Sequence, residues 1–197
     1  MGQYWVVANL DKREVIHPHK LGCGLKLWEQ LASHPGTGAA LIILCAAMPE
    51  QRGGGDLDLE DEQGFVGDLK KAAGVSYSEI AKRTIGRWAG DRIALVGDYA
   101  ERGDLPPEDD ADLIYGLCGS DEDRWSAVEH YRRYAEDTGF AKYKDKADRL
   151  AAAQLYRDIT DDVCTVIEHE LQGKFTGDGW RHFEYNDYEV KMVEKGS

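Results

Sequence analysis

The sequence is poor in the features that mark secreted or membrane-spanning chains. Its longest apolar run, Ala39 to Met48, is ten residues. A helix crossing a bilayer needs about 20, so this run reads as a buried element. The four cysteines, Cys23, Cys45, Cys118 and Cys164, are widely spaced and form no CxxC pair. That excludes a disulfide framework and predicts reduced thiols, mostly small core residues. The opening segment is polar and strand-like, without a charged and then apolar leader, so the expected location is the cytoplasm. No serine sits in a GxSxG context, and Gly53-Gly54-Gly55 lacks the Lys-Ser/Thr of a phosphate loop. Positive charge is also scarce. The net charge is −13, and residues 101–197 carry most of it, with 13 Lys+Arg against 24 Asp+Glu. A nucleic-acid reader needs a basic footprint, and so does a protein that binds anionic lipid; neither fits.

What is present is a globular composition. Hydrophobic residues make up 42% and charged residues 31% of 197 residues, enough for one domain with a real core. Tyr4 to Leu10 is rich in β-formers and reads as a strand, followed by a polar turn and a short strand at Glu14 to Ile16. Leu21, Leu25, Trp28 and Ala32 follow helical spacing, with Pro35-Gly36 as a stop. A second helix covers Gly38 to Ala47, and a short third covers Glu79 to Ile85. Arg52 to Gly67 reads as an acidic, glycine-rich loop.

Arg92 to Val96 is the clearest strand of the middle, with Trp88 on a hairpin partner strand. From Ser120 onward the pattern is helical. Ser120 and Asp123 resemble a capping box, Trp125, Val128 and Tyr131 form a stripe, and Gly139 closes the helix. Lys144 to Tyr156 continues as the second arm of a charged hairpin. Thr160 caps a further helix that Gly173 stops, and Trp180 to Tyr185 is a final strand. Strands and helices do not alternate regularly. The expected fold is therefore a single α+β domain over 1–197: a small, mostly antiparallel sheet flanked by helices on one side, with residues 120–156 as a helical hairpin insertion.

Three groups of residues carry candidate chemistry. His17, His19 and Cys23 are good zinc ligands, and Pro18 holds the two imidazoles in a fixed relation, so a divalent metal is the cofactor they suggest. The spacing matches no standard zinc module, and two histidines close to a strand end and a helix start also fit a structural role. In the second group, Arg87, Trp88, Asp91 and Arg92 precede one strand and Asp98 follows it, with glycine beside each aspartate. Arg87 and Arg92, with Trp88, suit a phosphate or carboxylate ligand; Asp91 and Asp98 suit a cation or acid–base work. Gly-Asp turns at the two ends of a hairpin explain the same residues without a ligand. Third, Glu170 falls on the apolar side of the helix after Thr160, with His169 pointing away. A carboxylate there is a general acid or base, or the partner of a buried cation such as Arg87.

The segments Met1-Gly2-Gln3-Tyr4-Trp5, Asn9-Leu10-Asp11-Lys12, His17-Pro18-His19-Lys20-Leu21-Gly22, Trp88-Ala89-Gly90-Asp91-Arg92 and Gly97-Asp98-Tyr99 resemble a family of uncharacterised bacterial and fungal proteins. The resemblance covers most of residues 1–117 and resumes around Tyr156 to Trp180. It implies a shared fold and brings no activity. The hairpin between Ser120 and Leu155 looks like an elaboration on that pattern.

Two functional expectations follow. One is a small-ligand-binding protein or enzyme, a metal-assisted hydrolase or a transferase acting on a phosphorylated or nucleotide-like ligand. The other is an acidic accessory protein that binds a basic protein partner through its C-terminal half.

Overall fold

The computed structural model describes residues 3–47 and 77–186. The acidic glycine-rich stretch at 52–67 lies outside them, as does the tail after Asn186. Strand β1 (Trp5–Asn9) is central in a four-stranded sheet of order β3-β1-β2-β4. It pairs antiparallel with β2 (Glu14–Ile16) on one side and β3 (Ile93–Gly97) on the other. The two-residue β4 (Arg157–Asp158) adds in parallel to β2, a strand the sequence pattern does not announce. A separate hairpin joins β5 (Gly173–Thr176) to β6 (His182–Tyr185) across the Gly177 to Gly179 turn. The fold class is α+β.

Side chains alternate across the sheet, and both faces are covered. Val7 and Ile16 face one core with α2 (Gly36–Cys45), α3 (Tyr77–Thr84), Trp88 and α7 (Thr160–Glu170). Val6, Ala8, Val15 and Val96 face a second core with α4 (Ala111–Leu117), α5 (Asp121–Thr138) and α6 (Ala141–Ala152). The expectation of helices on one side is thus corrected. The helical hairpin α5–α6 supplies the second layer through Val128, Ala147 and Leu150, all fully buried.

Several local expectations hold and several do not. The Ser120–Asp123 capping box forms, and Gly139 ends α5 in the left-handed conformation. Trp88 lies on no strand; it is completely buried in the turn before β3, whose ladder partner is β1. The first helical stripe splits into a 3-10 turn (Pro18–Leu21) and α1 (Leu27–Ala32), and Trp28 and Leu31 are 76% and 75% exposed. Thr160 does not cap α7 with its side chain. Its hydroxyl accepts from the His17 backbone N–H at 2.8 Å, tying the helix start to the end of β2. Gly173 begins β5 rather than stopping α7. Among the described residues no helix is long and apolar enough to cross a membrane.

Candidate functional site

The antiparallel register sorts the candidate residues to two ends of the sheet. Asn9, Glu14 and Ile93 share one end, and Trp5, Ile16 and Gly97 the other. Asp91 therefore lies before β3 at the first end and Asp98 after it at the second. Five strand residues rise about 16 Å, so these two carboxylates cannot share a cation or act on one substrate.

At the first end the candidate charges meet internal partners. Glu14, buried in β2, accepts from Arg87 Nε at 2.7 Å, from a second Arg87 nitrogen, and from Trp88 Nε1 at 2.9 Å. Burial by itself would raise its carboxyl, but the Arg87 and Trp88 hydrogen bonds outweigh that and hold it below the ordinary glutamate range. Asn9, also fully buried, donates to Asp91 at 2.7 Å and accepts from the Lys12 N–H at 2.8 Å; the Lys12 ammonium pairs with Asp91 as well. Arg92 is held by Asp11 and Asp109, both at 2.8 Å. Arg87, Trp88, Asp91 and Arg92 thus lock the β1–β2 turn to the segment before β3. Their partners are internal, which is the structural alternative already open for them. The buried partner of Arg87 is Glu14 and not Glu170. On α7 the Glu170 side chain is 17% exposed, and His169, expected to point away, is buried at 6% alongside Val163, Val166 and Ile167.

The other end of the sheet holds two open clefts. The smaller, about 380 Å³, is lined by His17, His19, Tyr115, Cys118 and Asp123 among others. Alternation along β2 puts His17 on the same face as Val15, where its ring meets the Cys118 carbonyl at the end of α4. Burial lowers the pKa of this imidazole, against the pull of Asp158. His19 stacks on Trp180 with ring centres 5.2 Å apart. Cys23 points elsewhere, into the first core, where its sulfur accepts from the Thr37 N–H at 3.2 Å. Among the described residues no three His, Cys, Asp or Glu side chains converge as a metal ion would require. The buried thiols of Cys118 and Cys164 are pushed well up, Cys164 to about 12, which keeps both protonated.

The larger cleft, about 490 Å³, opens between the loop after β3 and the helical hairpin. Asp98, Tyr99, Glu101 and Arg102 form the loop wall, and Tyr131, Lys142, Tyr143, Lys146 and Arg149 the helical wall. Arg149 is occupied: it reaches Asp112 at 2.6 Å and Asp145 at 3.0 Å. Neither lysine meets a carboxylate among the described residues. Lys142 Nζ sits 5.0 Å from the centre of the Tyr143 ring and Lys146 Nζ 4.7 Å from that of Tyr131. A ring face orients an ammonium without neutralising it. Spaced one helical turn apart on α6, the two ammonium groups present a pair of charges to the same space. Arg102 adds a third cation, held among the described residues by long contacts of 3.7 Å to Asp110 and 3.6 Å to Asp145. Asp98 alone of the expected catalytic residues lies here; one of its oxygens accepts from the Tyr4 N–H at 3.0 Å, which extends the β1–β3 ladder by a residue.

No family model, curated protein or solved structure matches the chain. Its function is therefore read from its own side chains. The lysine pair escaped the sequence reading, although Lys142, Tyr143 and Lys146 on one turn of a helix, with Tyr131 on the preceding arm, were there to be seen.

Proposed function

We propose that the protein binds a small phosphorylated ligand in the larger cleft. The observation that carries this reading is the Lys142–Lys146 pair, two cations placed over tyrosine rings instead of carboxylates. A phosphate group supplies the anionic oxygens that such donors lack. Arg102 can swing from its distant carboxylates to join them. The reading keeps the phosphorylated-ligand expectation but moves it from Arg87 and Arg92, whose partners are internal, to the hairpin. It involves no metal, because the donor set for one is not assembled among the described residues.

Isothermal titration with ribose 5-phosphate at low salt tests it. Binding is expected, and it should weaken about tenfold or more, roughly 1.4 kcal/mol, in Lys142→Ala and in Lys146→Ala. Lys144→Ala on the same helix lines a different surface and should leave binding unchanged. Raising the salt should weaken binding further. Absence of binding, or equal loss in Lys144→Ala, rules the proposal out.

A further inference from the structure

The larger cleft carries both signs of charge. Lys142, Lys146 and Arg149 line it from the helical side with Asp112 and Asp145, and Asp98, Glu101 and Arg102 from the loop side. Arg149 is engaged with Asp112 and Asp145, and Arg102 stands 3.7 Å from Asp110 and 3.6 Å from Asp145, so the cleft cations with no carboxylate partner among the described residues are the two lysines. On the loop side, Asp98 uses one carboxylate oxygen on the Tyr4 N–H, and the Glu101 side chain is exposed with no ion pair among the described residues. A bare phosphate would meet these carboxylates as like charges. Two carboxylates facing a cation pair across one cleft suit a ligand with an anion at one end and hydrogen-bond donors at the other. Tyr99 stands between, on the loop, with 60% of its surface open. An exposed tyrosine beside a cleft offers a planar face on which a ring can stack.

We infer that the ligand of this cleft is a ribonucleoside phosphate, its phosphate on Lys142 and Lys146, its ribose hydroxyls donating to Asp98 and Glu101, and its base against Tyr99. This inference rests on the phosphate-binding reading above and adds the ring and the hydroxyls to it. Hydroxyl donors as partners account for the Asp98 and Glu101 carboxylates, which a simple anion site would exclude. The base accounts for an aromatic residue left exposed at the cleft mouth.

The test is a comparison of ligands on the full chain. Adenosine 5′-monophosphate, its 2′-deoxy analogue and ribose 5-phosphate are titrated by calorimetry against the unaltered protein, Tyr99→Ala and the double variant Asp98→Asn, Glu101→Gln. Melting curves confirm that each variant is folded. The Asp98 substitution keeps a carbonyl oxygen for the Tyr4 N–H, and Tyr99 is exposed, so neither change removes a core contact. The ribonucleotide should bind about tenfold tighter than ribose 5-phosphate, and Tyr99→Ala should erase that margin. It should also bind several-fold tighter than the deoxynucleotide, and the double variant should bring that ratio to about one. If ribose 5-phosphate binds equally well and Tyr99→Ala changes nothing, the nucleoside inference fails while phosphate binding stands. If the ribo and deoxyribo forms bind alike in the unaltered protein, the assignment of Asp98 and Glu101 to the sugar fails. If none of the three binds, both readings fall.

Discussion

At the scale of single residues, the buried Glu14 ties two donors from the segment before β3 to β2. Its two oxygens satisfy the Arg87 guanidinium and the Trp88 indole together. Removing the carboxylate strands the indole N–H of the fully buried Trp88 and leaves the Arg87 guanidinium with the Arg83 carbonyl at 3.4 Å. Glu14→Ala should therefore cost about 3 kcal/mol or more of stability, measured by urea denaturation. Replacing Glu14 and Arg87 together by leucine and methionine should cost much less, since no uncompensated charge remains.

Titration acts at the same scale. The His17 imidazole is lowered from 6.5 chiefly by burial. A group depressed in the folded state contributes stability that is complete above its unfolded value and is lost as pH falls through its folded value. Glu14 and Asp158, whose hydrogen-bonded carboxyls are both lowered against burial, behave likewise in a more acidic window below their unfolded values near 4. Glu168 works in the opposite sense, because burial raises its carboxyl. Between pH 7.5 and 5 the His17 contribution should be visible as a falling urea midpoint, and His17→Gln should flatten that slope. A slope unchanged in His17→Gln would show that the imidazole is not depressed.

At the scale of elements, α5 is specified at both ends. Ser120 accepts from the Asp123 N–H at 3.1 Å, and the Asp123 carboxylate accepts from the Ser120 N–H at 3.0 Å. Gly139 takes a φ of 72°, where a side chain is strained. Ser120→Ala and Gly139→Ala should each destabilise by about 1 kcal/mol. Because α5 carries Asp123 to the smaller cleft and Tyr131 to the larger one, fraying either end also loosens the walls of a cleft. Ser120 and Gly139 lie outside the ligand contacts, so their variants separate helix stability from binding chemistry.

At the scale of the whole molecule, the helical hairpin is a structural layer rather than an appendage. Leu150, Val128 and Ala147 close the second core against β1, β2 and α4. Leu150→Ala should cost about 2–5 kcal/mol, and far-ultraviolet dichroism and tryptophan fluorescence should report a single shared transition. Early loss of helix with the fluorescence unchanged would mean that the hairpin melts separately.

Local pattern alone determined much of this protein. The strands at Trp5–Asn9, Glu14–Ile16 and Ile93–Gly97 follow from β-branched and aromatic runs, and the ends of α5 from its cap residues, because these signals act between near neighbours in the chain. The α+β class followed from the same reading. Tertiary structure decided the rest. Glu14 sits between Val15 and the turn with nothing local to say that Arg87 and Trp88, more than 70 positions away, would bury it. Asp91 and Asp98 look like a pair in sequence, but an extended strand holds them at opposite ends of the sheet. Lys142 and Lys146 read as solvated helix charges until the loop after β3 closes a cleft across from them. A residue's partners lie at long range, and which cations stay open depends on where every carboxylate comes to rest.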